Sequence, residues 1–267
     1  MTASSLTAAC CIIGDEILNG KTQDTNSRYL AKFLFQMGIE LKRIEVVGDD
    51  AEAIESTVRR LSSMHNFVFT SGGIGVTHDD ISYGAIAQAY QLELRLDPET
   101  HQRVQAMLDK RKVMDRQGYE RLATFPYPAQ LLRPKQQFLI PIVIVNSNIY
   151  ILPGIPRLFE LLVDSLEDHL QRIINQQQRS VRGGFHRRDV ATKATEGAIA
   201  QTLAKIQARV QKDGLKIGSY PVWGDPKVNV VVSVVGKDEE AVQRVAKEIA
   251  KEIDGWDHQH HHSIARL

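Results

Sequence analysis

Cysteine is nearly absent: the 267 residues hold two, Cys10 and Cys11, side by side. On a strand, neighbours point to opposite faces, so the pair suits reduced packing residues better than a disulfide and points to a cytoplasmic protein. Charge of one sign is lacking too. Lys plus Arg number 33 and Asp plus Glu 32, so no global field recruits nucleic acid or an anionic membrane. No apolar run is long enough for a bilayer; the longest, around Phe138–Val145, contains Pro141. The opening MTASSLTAACCIIGDE has no basic n-region and no small-residue cleavage site after a long apolar stretch, which argues against secretion. Also missing are a Walker A loop, a Gly-x-Ser-x-Gly elbow, His-Glu-x-x-His and paired Cys-x-x-Cys motifs. ATPase, esterase, zincin and zinc-ribbon chemistry therefore have no support.

What is present is an alternation of strands and helices. Ala8–Ile13 reads as a buried strand closed by Gly14. From Asp24 the pattern turns helical through Leu30, Phe33, Leu34 and Met37, with Gly38 as a stop. Ile39–Val47 is a strand, and Asp50 caps a helix with Ile54, Val58 and Leu61 at its core positions. Asn66–Thr70 is a strand running into Ser71-Gly-Gly-Ile-Gly75, and a helix with Ile81, Ala85, Ile86 and Ala89 follows. Such alternation predicts an α/β fold of three layers, αβα, around a mostly parallel sheet. Asp97–Asp115, strongly charged, reads as an exposed helix or lid rather than core. Val143–Val145 and Ile149–Leu152 flank a turn, and Leu152-Pro-Gly-Ile-Pro156 opens a helix through about Ile174. The polar run Asn175–Arg179 is the expected boundary. Residues 1–174 would form a nucleotide domain, 180–256 a small α+β lobe and 257–267 a flexible tail. The tail includes His258-Gln-His-His-His262, histidines that could hold a metal.

Right-handed crossovers bring the strand-to-helix loops to the carboxyl edge of a parallel sheet. Gly14–Asn26, Gly48–Asp50 and Ser71–Asp80 should therefore meet. Gly72, Gly73 and Gly75 would let backbone N–H groups approach an anion, with the dipole of the next helix in support. A tight turn accounts for the same glycines. Two carboxylates, Asp79 and Asp80, beside an anion loop make sense if a cation sits between them, or if one acts on water. One of the two is also expected to cap the next helix. Asp15 and Glu16 lie where the first strand reaches the same edge. Asp24, Thr25 and Asn26 are helix-capping types, so capping explains them equally well.

Taken together, Gly14-Asp15-Glu16, Asp24-Thr25-Asn26, Val47-Gly48-Asp49-Asp50, Gly72–Asp80 and Leu152–Pro156 resemble the molybdopterin-binding (MoaB/Mog-like) domain superfamily. The resemblance is greatest to the branch of CinA-type proteins and the N-terminal domain of eukaryotic FAD synthase. In the second lobe, Ala194-Thr195-Glu196-Gly197 resembles the Gly-Glu-Ser segment of CinA-type proteins. Ile217–Trp223 resembles the eukaryotic FAD synthase version. Two positions depart from the family pattern: Val76 stands where the loop usually has proline, and Ser82 where threonine is usual.

The resemblance implies hydrolysis of a dinucleotide pyrophosphate, FAD to FMN and AMP, with FAD as substrate rather than cofactor. It further implies dependence on a divalent metal (cobalt or magnesium), with potassium as a possible activator, and a homo-oligomer. Asp80, Asp79, Asp49 and Glu196 are the expected catalytic residues, and Asp79, Asp80, Asp15 and Glu16 the expected metal ligands. Gly14, Asp24, Thr25, Asn26, Ser71, Gly72, Gly73, Gly75, Thr77, Pro153, Gly154 and Tyr220 are expected to bind the dinucleotide. If Asp80 holds a metal or positions water, Asp80→Asn is expected to lower turnover by about a hundredfold or more while barely moving the melting temperature. A molybdopterin adenylyltransferase and a non-catalytic nucleotide-binding module remain the alternatives. No adenylyltransferase domain follows the second lobe in this sequence, so FAD synthesis is not expected of it.

Overall fold

A computed structural model of the chain describes residues 6–134, 138–177 and 183–258. It divides into two compact units, Met1–Arg182 and Gly183–Leu267. The end of the expected boundary run and the histidines beyond His258 lie outside the described residues.

The first unit begins β1 (Thr7–Ile13), α1 (Asp15–Leu18), α2 (Asn26–Gln36), β2 (Glu40–Val47), α3 (Ala51–Met64), β3 (Phe67–Ser71) and α4 (Ser82–Ala89). It continues through β4 (Glu93–Leu96), α5 (Pro98–Lys110), β5 (Thr124–Tyr127), β6 (Gln130–Leu132), β7 (Ile142–Val145), β8 (Ile149–Leu152), α6 (Pro156–Asp164) and α7 (Glu167–Gln177). The main sheet has the order β2-β1-β3-β8-β7-β6. β2, β1, β3 and β8 run parallel, while β7 pairs antiparallel with both β8 and β6. β1 thus lies between the strands that follow it in sequence, and the crevice at such a reversal opens at the carboxyl edge.

β1 shows why three layers form. Ala8, Ala9, Cys10 and Cys11 are all fully buried. Ala8, Cys10 and Ile12 pack with Leu30, Phe33 and Leu34 of α2 and with Phe159, Leu162 and Val163 of α6. Ala9, Cys11 and Ile13 pack with Ile54, Val58 and Leu61 of α3 and with Ile86 of α4. Small side chains on both faces let helices close in from either side. The two free thiols consequently sit in different cores. Burial pushes the Cys11 thiol up to about 12, so it stays protonated.

Several expectations are corrected. The helix expected from Pro156 to Ile174 is two, interrupted at Ser165 and Leu166; Leu166 turns into the core there. α5 is no exposed lid: Thr100, Val104 and Leu108 are fully buried, a narrow apolar stripe that its charged face concealed. β4 and β5 form a two-stranded antiparallel ribbon that was not anticipated, because Pro126 and Pro128 break the strand pattern there.

The second unit comprises β9 (His186–Thr192), α8 (Glu196–Val210), β10 (Lys216–Pro221), β11 (Val230–Gly236), α9 (Glu239–Glu252) and β12 (Gly255–Asp257). Its antiparallel sheet has the order β10-β11-β9-β12. Val190, Val230, Val232 and Val234 meet Ile199, Leu203 and Ile206 of α8 and Val242, Val245 and Ile249 of α9. The short strand β12, too brief to show a period, was not anticipated. No described helix is long and apolar enough to cross a membrane.

Candidate functional site

Four strands of the first unit end at one edge, and their loops are stitched together there. Gly14 N–H bonds Val47 O at 3.0 Å and Gly72 N–H bonds Leu152 O at 3.2 Å. Gly72 has φ +116°, and a Cβ there would lie 2.0 Å from Ile13 O, a backbone atom that cannot move aside. Only glycine fits. Asn26, buried at the start of α2, spans three loops: its Nδ2 donates to Ser71 Oγ and to Gly154 O, each at 2.9 Å. Ser71 Oγ reaches Pro153 O at 3.3 Å. Asp24 does the capping, accepting from Ser27 N at 3.0 Å and from the Ser27 hydroxyl, while Thr25 makes no side-chain cap bond.

The glycine loop is braced from inside. Asp80 Oδ1 accepts from Gly75 N at 2.6 Å, and Oδ2 accepts from Thr77 N at 2.9 Å and Thr77 Oγ1 at 2.6 Å. Asp80 therefore does not cap α4, whose N-cap is Ile81 with no side-chain cap bond. Its carboxylate turns back to the three loop donors instead. The expected helix dipole is likewise spent internally: Ser82 N bonds Gly73 O at 2.9 Å, and Ser82 Oγ bonds Gly72 O at 2.8 Å. Of the loop N–H groups, Gly72, Gly75 and Thr77 are committed, which leaves Gly73, Ile74 and Val76 with no hydrogen bond among the described residues.

Acidic groups collect beside the loop. Asp15 N donates to Asp49 Oδ2 at 3.0 Å, and Asp49 N donates to Asp15 Oδ1 at 3.3 Å, a reciprocal clasp between the first two loops. Burial holds the Asp49 carboxyl above the ordinary carboxylate range; the charges of Asp15, Glu16 and Asp79 add to the shift, and the Asp15 N–H opposes it. Asp79 is held below that range, first by the Thr77 hydroxyl and its own backbone N–H, with His78 and Arg121 adding. The Thr77 hydroxyl has one hydrogen and the structure directs it to Asp80 at 2.6 Å, so its hold on Asp79 lapses while that bond is made. Asp50 caps α3 through Ala53 N at 2.8 Å.

Asp79, Asp80, Asp15 and Glu16 do not make a ready metal site. Among the described residues no group of three or more His, Cys, Asp or Glu side chains is placed to hold an ion. Both Asp80 oxygens face loop donors and Asp15 is occupied with Asp49, so the donor set does not fit a preformed cage.

Two further residues stand out: Ser82, noted in the sequence only as a departure from the family pattern, and Arg121, which the sequence did not flag. Ser82 is buried against the loop carbonyls. Arg121, in the 3-10 turn Tyr119–Ala123, donates from Nη2 to Asp80 O at 2.8 Å. Forty-one residues separate it from its partner, and no local pattern announces such a contact. A cavity of about 490 Å³ opens beside them, lined by Gly75, Asp80, Tyr83, Gln88, Leu94 and Arg121 among others.

Glu196 and Tyr220 belong to the second unit. Glu196 is the first residue of α8 and accepts from Ser219 Oγ at 3.4 Å. An acidic side chain there also suits the helix's positive end. Tyr220 is exposed on β10.

Residues 9–172 match the family described as "Probable molybdopterin binding domain", and residues 184–260 match "FAD synthase, middle domain". A "Probable FAD synthase" of Caenorhabditis briggsae is 34% identical over 90% of this chain and 48% of that protein. Its counterpart in Caenorhabditis elegans is 30% identical over 93% of this chain and 50% of its own length. The chain thus spans about half the length of these curated relatives. A protein of Archaeoglobus fulgidus is 29% identical over 88% of this chain and 93% of its own. Among solved structures, a protein titled CinA, of unknown function, from Thermoplasma acidophilum is 27% identical, with a TM-score of 0.55. It covers 62% of this chain and 98% of its own length.

Proposed function

The chain belongs to the molybdopterin-binding domain family, and from that premise we propose that it is a dinucleotide pyrophosphatase that hydrolyses FAD to FMN and AMP. The observation that carries this reading is the pairing of the two matches along one chain. The molybdopterin-binding match covers the loop-bearing unit, and the FAD synthase middle-domain match covers the lobe that follows it. The similarity to two FAD synthases over nine-tenths of the chain supports FAD as the substrate.

In this reading the pyrophosphate lies over the N–H groups of Gly73, Ile74 and Val76, which donate to its equatorial oxygens as negative charge grows there. Asp49, whose burial raises its proton affinity, takes a proton from the attacking water. The water oxygen bonds to one phosphorus, and the bond from that phosphorus to the bridging oxygen breaks. The bridging oxygen leaves with the other phosphoryl group, so FMN and AMP are the only organic products. Asp80 sets the loop's shape rather than touching the phosphates, since its oxygens are turned to Gly75 and Thr77.

Incubation with FAD and magnesium or cobalt, followed by chromatography, tests the reading; FMN and AMP in equal amounts are expected. Transfer of an adenylyl group to molybdopterin with no release of FMN would instead establish the transferase reading, which the match of residues 9–172 keeps open.

A further inference from the structure

The cavity beside the glycine loop offers more recognition chemistry than a pyrophosphate needs. Its apolar wall is built from Ile81, Tyr83 and Leu94, and Gln88, Glu120 and Arg121 supply polar groups. Tyr83 is 7% exposed, and its ring meets Phe125 edge-on at 5.2 Å. Its hydroxyl is buried and has no hydrogen-bond partner among the described residues. Arg121 holds the Asp80 carbonyl through one Nη2 and makes no ion pair among the described residues. A pocket of about 490 Å³ with apolar walls and a few polar groups is of the size that takes a small organic ligand.

Resting on the FAD-hydrolysis reading, we propose that this cavity receives the flavin ring of the dinucleotide and that Arg121 is the residue that selects it. The pyrimidinedione edge of a flavin presents acceptor, donor, acceptor: two carbonyl oxygens around one N–H. The cavity lining supplies donors in Arg121 and Gln88 and an acceptor carboxylate in Glu120, which answers that pattern. Adenine pairs its amino donor with only one ring-nitrogen acceptor on either edge, so its entry would leave one cavity donor unpaired, and discrimination by unpaired buried donors is steep. Leu94, 48% exposed, offers apolar surface for a fused ring system at the mouth. Because Arg121 also holds the Asp80 carbonyl, a ring bound against its guanidinium bears on the loop that cradles the phosphates. Ring recognition and loop geometry share one side chain.

The test is binding of FMN, riboflavin and AMP to the full chain, by flavin fluorescence and calorimetry, with FAD turnover measured in parallel. FMN and riboflavin should bind, with a change in flavin fluorescence on entering the cavity. Arg121→Ala should weaken riboflavin, which has no phosphate, by about tenfold or more and FMN at least as much, with a smaller loss for AMP that reports the loop contact. Leu94→Trp fills the mouth without touching the loop, so it keeps the test valid should Arg121→Ala disturb the fold. It should also abolish flavin binding and spare AMP. If these variants weaken AMP and leave FMN intact, the cavity is not the flavin site, even when FAD hydrolysis is normal. If flavin binding depends on Arg121 and Leu94 but FAD is never cleaved, the hydrolase reading fails while the assignment of the cavity stands.

Discussion

Thr77 gives both its backbone N–H and its hydroxyl to one oxygen of Asp80, at 2.9 and 2.6 Å. The other oxygen takes Gly75 N at 2.6 Å, so a single carboxylate defines the curve of the glycine loop. Asp80→Asn replaces one acceptor oxygen with a donor facing a donor. Stability should fall by about 1–3 kcal/mol, as for loss of bonds to a charged group. FAD turnover should drop about a hundredfold, since the loop N–H groups lose their aim. This revises the expectation from sequence that the melting temperature barely moves. Thermal melts and turnover on the same preparation check it, and an unchanged melting temperature would refute the bracing role.

Glycine 72 offers a harder test of the loop junction. Gly72→Ala drives a Cβ to 2.0 Å from Ile13 O at φ +116°, and should cost about 3 kcal/mol or more, or prevent folding. Gly197→Ala is the control: nothing lies within 4 Å of its new Cβ and the residue is helical, so a gain of up to about 1 kcal/mol is expected. Urea titrations of the two variants should therefore shift in opposite directions.

Asn26→Asp exchanges the buried amide donor for a carboxylate oxygen against the Gly154 carbonyl and the Ser71 hydroxyl oxygen. Ser71 can rotate to donate, but Gly154 O cannot. A loss of about 2–4 kcal/mol is expected, with protonation of the new carboxyl easing it at low pH. Hydrogen exchange at the Ser71 and Gly154 loops should rise together if Asn26 joins them. Exchange confined to one loop would dismiss that linkage.

Asp49 yields a pH prediction. Its folded-state proton affinity is raised, so its contribution to stability is greatest at low pH and is lost as pH rises through the folded value. Asp49→Asn removes that penalty while keeping an acceptor for Asp15 N. The variant should melt above the parent at neutral pH, with the difference vanishing as pH falls through the carboxylate range. Its turnover should fall by about a hundredfold if Asp49 is the general base. Equal melting curves at every pH would show that the carboxyl carries no penalty.

Metal is expected to be bound with nucleotide or not at all, because the carboxylates do not form a cage by themselves. Calorimetric titration of magnesium, which the tail histidines would not hold, into the nucleotide-free chain should give no saturable heat. A tight stoichiometric site would show that the acidic loops rearrange around an ion.

Much of this protein was legible in its sequence for a physical reason: the features concerned are local. The period of Leu30, Phe33 and Leu34, the β-branched runs of β7 and β8 and the cap at Asp50 depend on near neighbours in the chain. Even the placement of Cys10 and Cys11 in separate cores follows from the strand's two-residue repeat. The order of the loop motifs carried the family resemblance in the same way. Tertiary structure alone decided what the loops do to one another. That Asp80 turns into its own loop, that Asp15 and Asp49 clasp, that Asn26 spans Ser71 and Gly154, and that Arg121 reaches Asp80 all require partners distant in sequence or a backbone curvature no residue encodes singly. A polar side chain can cap, brace or bind with equal ease. Which of these it does is fixed only when the sheet has brought its competing donors and acceptors within three ångströms.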